Sequence, residues 1–428
     1  MVHTLLYFTI NQMEYDYVIV GAGISGLLCA TKISKKFPLA TIAITEMYPS
    51  AGGRIQTYNK DGIQWEKGAG RIHSSHTLVN ELVRQYGLTK VKIPDNTQWL
   101  SEGGSPENNL WPTVARIIVD SFSKMKRTDL QLNTLEQLMD KVLEGQLIKR
   151  MLSQFAYTSE ISSLRADLAL KSLNKELGVG GGHFYTLAEG LQAITEKMKE
   201  EAEKAGVKFL YKHRLVSIGK PGYYTTLNYA LDNKLKIQIS ARKVILAIHS
   251  EALQGISILK NIPILKKITM KPLLRIYGVF PTPAWFESIP RTITDSPLRH
   301  IIPISTETGT IMTSYTDSKD TRFWMNLYNN YGEKAVLKKI IKESEILFQK
   351  RIPEPHIFKI YYWQEGCSYW LPGLYDVESY SKKIMQPIPL INPNIYVCGE
   401  SYAVSQAWVE SALTHTTEML ETYILSSS

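Results

Sequence analysis

The sequence feature that most constrains the fold is a glycine-rich turn between a short strand and a helix. Residues 15–20 are rich in β-branched and aromatic side chains, and after Gly-Ala-Gly-Ile-Ser-Gly at 21–26 apolar residues recur at helical spacing. In this context the first glycine permits the tight turn, the second lets the backbone approach a pyrophosphate, and the third lets the helix pack closely. The helix N-terminus faces the anion. The turn is therefore expected to bind a dinucleotide through Gly21, Ala22, Gly23, Ile24, Ser25 and Gly26.

An acidic residue at the end of the next predicted strand narrows the choice of dinucleotide. Residues 41–45 read Thr-Ile-Ala-Ile-Thr, and Glu46 follows them, about 20 residues after Gly26. A carboxylate at this position accepts hydrogen bonds from the hydroxyls of the adenosine ribose. It would also repel a 2′-phosphate at the same place. FAD and NAD therefore remain as the candidate cofactors.

The composition excludes several classes of protein. The chain of 428 residues is too long for one small core, so two domains are favoured. It is 44% hydrophobic and 21% charged, which is too apolar for a disordered chain. The net charge of +9 is spread without a dense basic stripe, so no nucleic-acid partner is expected. Three cysteines fit a reducing, cytoplasmic location, and neither they nor the histidines have metal-like spacing. No apolar run reaches the roughly 18 residues of a membrane helix, so no membrane anchor is expected, and residues 1–12 are interpreted as a short extension.

A third motif follows the acidic residue and carries a resemblance to a known family. Residues 51–57 read Ala-Gly-Gly-Arg-Ile-Gln-Thr, which places Gly53 and Arg54 shortly after Glu46. The succession of glycine turn, acidic residue and Gly-Gly-Arg resembles the flavin amine oxidase family, which includes monoamine oxidases, polyamine oxidases and L-amino-acid oxidases. The resemblance favours FAD over NAD. It implies that Gly53 and Arg54 brace the pyrophosphate or the flavin.

The resemblance extends to the C-terminal segment. Ile-Tyr-Val-Cys-Gly-Glu at 395–400 and Gln-Ala-Trp-Val-Glu-Ser-Ala at 406–412 are similar to the family's closing strand, turn and helix. This implies that Glu400, beside Gly399, reaches the ribityl region and that the helix N-terminus at Val409 faces the N1–C2=O edge of the flavin. It also implies that Val216 contacts the adenine. Further cofactor contacts are expected from Gly70, Arg71 and Trp408.

The fold implied by the resemblance is α/β, with a Rossmann-like FAD-binding domain of the glutathione-reductase type and an inserted α+β substrate domain. The FAD-binding domain is expected at 13–76, 180–274 and 356–428, and the substrate domain at 77–179 and 275–355. Apolar residues at helical spacing, including Leu143 and Leu147, predict helices between 77 and 178. The other predicted elements are a helix from 180–182 to about Gly206, strands at 208–216, 243–248, 273–280 and 310–317, and a helix at 332–350.

The resemblance also implies a reaction. A small-molecule amine or amino acid would transfer a hydride to flavin N5 and become an imine, with oxygen as acceptor and hydrogen peroxide as product. Two aromatic rings are expected to flank the amine: Trp408 falls on one position, and Tyr369 and Trp370 are favoured for the other. Trp363 is predicted to contact the substrate. Tyr369, Trp370 and Trp363 fit core positions equally well, and a homodimer is one option for the assembly.

Two arginines bear on the substrate and the electron acceptor. Arg71, in Gly-Ala-Gly-Arg at 68–71, is similar to a residue that binds the substrate carboxylate in the family's amino-acid oxidases, and it equally fits a contact with the pyrophosphate or the polar edge of the flavin. Arg275 lies about ten residues ahead of Trp285, where the family commonly has a catalytic lysine near flavin N5. Arginine stays protonated and cannot shuttle a proton. A slow oxidase, or a dehydrogenase using another acceptor, therefore remains open.

One substitute for the expected lysine can be set aside, and the type of enzyme and the attachment of the flavin stay open. Lys271 would lie about 13 Å from Arg275 along a strand, at roughly 3.3 Å per residue, so it does not replace the missing lysine. A flavin desaturase would share the cofactor fold, and a catalytically weak FAD-binding scaffold would retain only the cofactor. Cys367 stands in a Gly-Cys context similar to that of monoamine oxidases, which leaves covalent attachment of the flavin open.

Overall fold

The structure is a computed structural model of the chain. It describes residues 13–101, 103–105, 118–142, 145, 155, 157–175, 182–220, 222–231 and 235–426. The predicted extension at 1–12, the helical positions Leu143 and Leu147, and the predicted domain boundary at 179/180 lie outside the described residues.

The elements are numbered along the described chain. The strands are β1 (Met13–Val20), β2 (Ile42–Thr45), β3 (Thr57–Lys60), β4 (Ile63–Glu66), β5 (Ile72–His73), β6 (Lys90–Lys92), β7 (Thr97–Leu100), β8 (Phe184–Leu187), β9 (Lys208–Leu210), β10 (His213–Ile218), β11 (Thr225–Leu231), β12 (Leu235–Leu246), β13 (Ile268–Val279), β14 (Arg291–Thr294), β15 (His300–Ser305), β16 (Thr310–Asp317), β17 (Ile357–Trp370) and β18 (Ile395–Val397). The α-helices are α1 (Ile24–Lys36), α2 (Thr77–Gln85), α3 (Arg127–Leu132), α4 (Leu135–Val142), α5 (Thr158–Ser162), α6 (Ala166–Lys175), α7 (Gln192–Lys204), α8 (Ser250–Gln254), α9 (Ser318–Tyr331), α10 (Glu333–Phe348), α11 (Val377–Ile384) and α12 (Val409–Tyr423).

A seven-stranded sheet carries the glycine turn. β1 pairs in parallel with β2 and β12, β2 pairs in parallel with β9, and β12 pairs in parallel with β18. β11 and β10 extend the sheet in the antiparallel sense from β12. Ile19 and Val20 are buried on opposite faces of β1, as expected for a parallel strand covered on both sides. The predicted strand, glycine turn, helix and second strand are confirmed as β1, α1 and β2, and the closing strand and helix are confirmed as β18 and α12.

A second sheet of six strands forms the other part of the molecule. Its order is β17-β13-β16-β15-β14-β7, antiparallel except for the parallel pair β7 and β14. Every residue of β16 is buried, and α9 and α10 cover one face of the sheet through Trp324 and Ile340. The strands predicted at 273–280 and 310–317 and the helix predicted at 332–350 are confirmed. The predicted domain boundary at 274/275 falls inside β13, and the domain division remains a prediction.

Two predicted elements differ from the observed ones. The helix expected from 180–182 begins only at Gln192, because residues 184–187 form β8 and pair with β5 and β6. Gly190 has a φ of +81°, which turns the chain between β8 and α7. The strand expected over 208–216 is divided into β9 and β10 around Lys212, whose φ is +60°. Both differences come from backbone turns that the hydrophobic pattern does not reveal.

The length and polarity of the helices bear on the expectation about a membrane anchor. Within the part of the chain that the structure describes, no helix combines the length and apolar character needed to cross a bilayer.

Candidate active site

The glycine turn is shaped by two glycines that allow no side chain and one that faces open space. Gly21 has a φ of +103°, and a Cβ built on Gly26 would lie 1.9 Å from the Gly21 carbonyl oxygen. Close packing of α1 against the turn therefore requires glycine at 26. A Cβ on Gly23 would meet no atom within 4 Å. The backbone at Gly23 thus borders a space that a pyrophosphate can fill at the N-terminus of α1.

Glu46 is fixed at the edge of this turn. Its side chain is buried, its Oε2 accepts a hydrogen bond from the Ala22 N–H at 2.9 Å, and its Oε1 accepts one from the Tyr48 N–H at 2.9 Å. Each carboxylate oxygen has a further lone pair. The carboxylate is therefore oriented to accept hydrogen bonds from ribose hydroxyls beside the pyrophosphate position.

The Gly-Gly-Arg motif connects the glycine turn to the closing turn. Gly52 donates its N–H to the Ala22 carbonyl at 2.9 Å and pairs with Gly23 in a parallel bridge. Arg54 then reaches away from the turn: its Nη2 lies 2.8 Å from Glu400 Oε2, and its Nη1 donates to the Gly366 carbonyl at 2.9 Å. The motif therefore orders three segments that are far apart in sequence.

Glu400 is the centre of the closing turn. In addition to its ion pair with Arg54, the Glu400 carboxylate accepts hydrogen bonds from the Ser368 N–H and hydroxyl and from the Ala407 N–H. Its side chain is buried, so these donors and the guanidinium offset the cost of removing the carboxylate from water. Trp408 follows as the N-terminal cap residue of α12, which begins at Val409. The N–H groups in the first turn of α12 therefore point out of the N-terminal end of the helix, and this end lies beside the ring of Trp408.

Val216 lies at an irregularity of the seven-stranded sheet. The β10–β11 register pairs Leu215 with Tyr229 and Ser217 with Asn228, and it passes over Val216. The Val216 side chain is 46% exposed. A bulge of this kind leaves the residue outside the ladder, as an adenine contact through the backbone requires. The contact itself remains a prediction.

A family match covers most of the chain. The model of the family described as flavin containing amine oxidoreductase matches residues 24–415. The chain belongs to this family. Its cofactor is FAD, and the open side of Gly23 and the oriented carboxylate of Glu46 fit the pyrophosphate and ribose parts of that molecule.

Individual relatives match shorter segments. A chloroplastic protoporphyrinogen oxidase of Nicotiana tabacum is 26% identical over 193 residues, which are 39% of this chain and 34% of that protein. An L-amino-acid oxidase of Gloydius halys is 32% identical over 102 residues, which are 23% of this chain and 18% of that protein. The chain therefore matches about a third of the length of the first relative and about a fifth of the second.

Similarity to solved structures extends over the whole fold. A double mutant of putrescine oxidase, from a redesign of its cofactor binding, has a TM-score of 0.76 to this chain at 16% identity. The superposition covers 96% of this chain and 99% of that one. The predicted α/β fold with a Rossmann-like FAD-binding domain is confirmed.

Arg71 is enclosed by aromatic rings. Its guanidinium carbon lies 4.6 Å from the ring centroid of Tyr157, 4.3 Å from that of Phe184 and 5.3 Å from that of Trp408. Phe184 and Trp408 are nearly parallel, with centroids 5.9 Å apart and an interplanar angle of 10°. Within the described part of the chain, Arg71 makes no ion pair. The rings hold the cation by their quadrupoles and leave its N–H donors available to an anion.

Arg275 packs against the segment that carries Arg71. Its Nη1 donates to the Glu66 carbonyl at 2.9 Å, which also accepts a hydrogen bond from the Tyr277 hydroxyl at 2.6 Å. A Cβ on Gly70 would lie 2.7 Å from the same Nη1, so the backbone at Gly70 directly faces the guanidinium. The ring of Tyr315 lies on another side of it at 5.1 Å. Arg275 is thus held in one orientation, and the catalytic role predicted for this position stays a prediction.

The remaining aromatic candidates have packing contacts. Tyr369 and Trp370 are buried in the main apolar cluster, and the Trp370 indole N–H donates to the Ala403 carbonyl at 2.9 Å. The Trp363 indole N–H donates to the Lys67 carbonyl at 2.7 Å, which fixes the start of the segment leading to Arg71. The ring stacked on Trp408 belongs to Phe184. The alternation of β8 could have identified Phe184, but a helix was predicted for this segment.

The chemical state of the Cys367 thiol bears on covalent attachment of the flavin. Burial, together with the charge of Glu400, raises the pKa of the Cys367 thiol to about 12. A thiol is a weak nucleophile when it is protonated. Covalent attachment of the flavin through Cys367 remains a prediction.

Among the described residues, no group of three His, Cys, Asp or Glu side chains is arranged to hold a metal ion.

Proposed function

We propose that the protein oxidises an amine or an amino acid to an imine. The observation that supports this most strongly is the guanidinium of Arg71, which lies within three aromatic rings and makes no ion pair among the described residues. It adjoins Gly70 and Trp408, both predicted flavin contacts. Bound FAD supplies the hydride acceptor. The imine then hydrolyses to a carbonyl compound and ammonia.

The residues of the chain orient the substrate and exclude water. Arg71 binds a substrate carboxylate with two parallel N–H···O bonds, a geometry that a guanidinium favours. Trp408 and Phe184 are stacked nearly parallel beside Arg71 and provide apolar walls for the α-carbon and the amine. Contacts with the carboxylate and with the apolar walls hold the α C–H bond in place before it reacts, which lowers the entropic cost of the reaction.

Oxygen is the proposed electron acceptor, and hydrogen peroxide is the proposed product. Arg275 stands where the resemblance expects a lysine, so we infer slow reoxidation by oxygen. A dehydrogenase with another acceptor is the second possibility within the same active site.

A second candidate is oxidation of a carboxylated compound that is not an amine. The match to the tobacco protoporphyrinogen oxidase supports it, since that match covers 39% of this chain against 23% for the L-amino-acid oxidase. A porphyrinogen therefore belongs in the substrate screen. Bleaching of the flavin by the porphyrinogen, with no response to any amine, would replace the first proposal.

Anaerobic mixing of the FAD-loaded protein with amines and amino acids tests the proposal. Amino acids are expected to bleach the flavin absorbance. Replacing Arg71 by Met should lower the rate constant divided by the dissociation constant for amino acids by about 30-fold or more, from a loss of roughly 2–5 kcal/mol, and change simple amines little.

The control is Arg84→Met, which removes an exposed arginine of α2. Equal losses for amino acids and simple amines in Arg71→Met would contradict the carboxylate role. A flavin that no amine reduces would contradict the proposed reaction.

A further inference from the structure

A second basic cluster borders Tyr157. The Tyr157 ring is contacted by the Arg71 guanidinium at 4.6 Å and lies 6.2 Å from the ring of His300. Tyr157 is also close enough to Arg291 to act on the pKa of that guanidinium. One tyrosine therefore joins the proposed carboxylate-binding arginine to a further arginine and a histidine.

Strand pairing places Arg291 and His300 on one face of the six-stranded sheet. Arg291 begins β14, and Ile293, two residues later, projects from the same face. Ile293 pairs directly with His300, the first residue of β15. Directly opposed residues share a face. The sheet backbone therefore holds the two side chains together, independently of any motif in the sequence.

The two side chains have unsatisfied polar atoms. Nε of Arg291 and both ring nitrogens of His300 are buried and have no hydrogen-bond partner among the described residues. His300 is only 1% exposed. Arg291 makes no ion pair within the described part of the chain, whereas Arg299 in the following turn lies 3.3 Å from Asp320. Buried donors without partners cost free energy, and a bound anion would remove that cost.

The charges of the cluster act on one another. Burial, followed by the charges of Arg291 and Arg71, lowers the pKa of His300 well below its ordinary value. Burial and the charge of Arg71 lower the pKa of Arg291, while Tyr157 and the charge of Asp95 raise it. The arginines stay protonated. The neutral imidazole can donate one N–H to an anion without adding to the positive charge.

We propose that Arg291 and His300 form a second anion-binding subsite, so that the substrate carries a second carboxylate beyond the one bound by Arg71. The inference rests on the proposed oxidation of an amino acid, and it specifies the substrate class as an α-amino acid with an acidic side chain. Arg71 takes the α-carboxylate beside Trp408, and Arg291 with His300 takes the side-chain carboxylate across Tyr157.

Binding of unreactive acids tests the subsite without turnover. The FAD-loaded protein is titrated with glutarate, which has two carboxylates, and with pentanoate, which has the same chain length and one carboxylate, and the shift of the flavin absorbance is followed. Glutarate is expected to bind at least tenfold more tightly than pentanoate. Arg291→Gln should abolish that preference, and the exposed-site control Arg351→Gln should retain it.

The conservative variants keep the test decisive if Arg291→Gln fails to fold. Arg291→Lys should keep part of the preference for glutarate, and His300→Phe should reduce it, provided that both retain FAD absorbance and the wild-type melting temperature. Equal affinity of the wild-type protein for glutarate and pentanoate would overturn the subsite, because Arg71 alone would then account for anion binding.

Flavin reduction by matched amino acids separates this inference from the proposed function. Glutamate is expected to reduce the flavin with at least a tenfold lower half-saturating concentration than glutamine, and Arg291→Gln should remove the difference. Equal values for glutamate and glutamine would overturn the subsite and leave the proposed oxidation standing. A preference for glutarate without reduction by any amino acid or amine would support the subsite and overturn the proposed oxidation.

Discussion

Glu66 provides a pH-dependent test of the architecture around the site. The side chain at the end of β4 is 9% exposed, accepts the Leu191 N–H at 2.7 Å and accepts the Thr57 hydroxyl at 2.8 Å. Burial raises its pKa from 4.5 to about 7, although the two hydrogen bonds and the charge of Arg275 act in the opposite direction. The informative substitution is Glu66→Gln, in which the amide oxygen can accept from Leu191 and the amide nitrogen can donate to Thr57.

The sign of the pH dependence follows from proton binding in the two states. Between about pH 4.5 and pH 7 the folded protein holds a proton on Glu66 that the unfolded chain has lost, so stability falls as pH rises through this window. Above it the ionised carboxylate costs the folded state about 3 kcal/mol, from a rise in pKa worth about 1.4 kcal/mol per unit. At pH 5 the cost is below about 1 kcal/mol. Glutamine has no such cost at any pH.

The expected result is a stabilisation by Glu66→Gln that grows with pH. With an unfolding entropy of about 2.1 cal/mol/K per residue, a chain of 428 residues gains about 1 °C in melting temperature per kcal/mol. Scanning fluorimetry should therefore show the variant melting about 3 °C higher than the wild type at pH 8.5 and within about 1 °C at pH 5.

The exposed residue Glu287 supplies the control, because Glu287→Gln should leave the melting temperature unchanged at both values of pH. A Glu66→Gln variant that melts lower than the wild type at pH 8.5 would refute the reasoning. It would mean that Leu191, Thr57 and Arg275 outweigh burial and keep the carboxylate stably ionised.

Four further substitutions test the cofactor site and the reoxidation step. Gly23→Ala should fold normally, because its Cβ meets no atom within 4 Å, yet it should weaken FAD binding by about 10-fold or more in a fluorescence titration. Gly26→Ala should instead lower the yield of folded protein, because its Cβ would collide with the Gly21 carbonyl oxygen. The reverse pattern would contradict the pyrophosphate placement. Arg275→Lys should speed reoxidation of the reduced protein by oxygen at least about tenfold in stopped flow, and an unchanged rate would show that this position does not limit the acceptor. Glu400→Gln should leave the Arg54 guanidinium without its counter-charge and destabilise the FAD-loaded protein by about 1–3 kcal/mol in thermal melting, whereas an unchanged melt would show that Arg54 holds its place without the ion pair.

The elements of the cofactor domain could be recognised because their signals are local. Gly21, Gly23 and Gly26 lie within one turn, and Glu46 ends the next strand, so a strand-turn-helix pattern and a fixed spacing are enough to relate them. The structure brings Glu46 to the turn through the Ala22 N–H, as this pattern predicts. Positive φ values at Lys212 and Gly190 were not evident from hydrophobic spacing, and for this reason the strand at 208–216 and the helix from 180–182 were predicted with wrong bounds.

The substrate side required the tertiary structure. Phe184, Tyr157 and Arg71 come from segments with no common motif. They meet because β8 pairs with β5, which follows Arg71, and because the Tyr157 ring packs on β16 of the six-stranded sheet. Arg291 and His300 share a face only through the register of β14 and β15.

The sequence by itself therefore determined the family, the cofactor and the backbone turn that faces its pyrophosphate, because these depend on residues close together along the chain and on the conformations that glycine allows. Only the tertiary structure decided which rings enclose Arg71 and which buried donors lack partners. Those properties depend on contacts between distant segments and on the exclusion of water, and neither is encoded in the spacing of residues along one strand or helix.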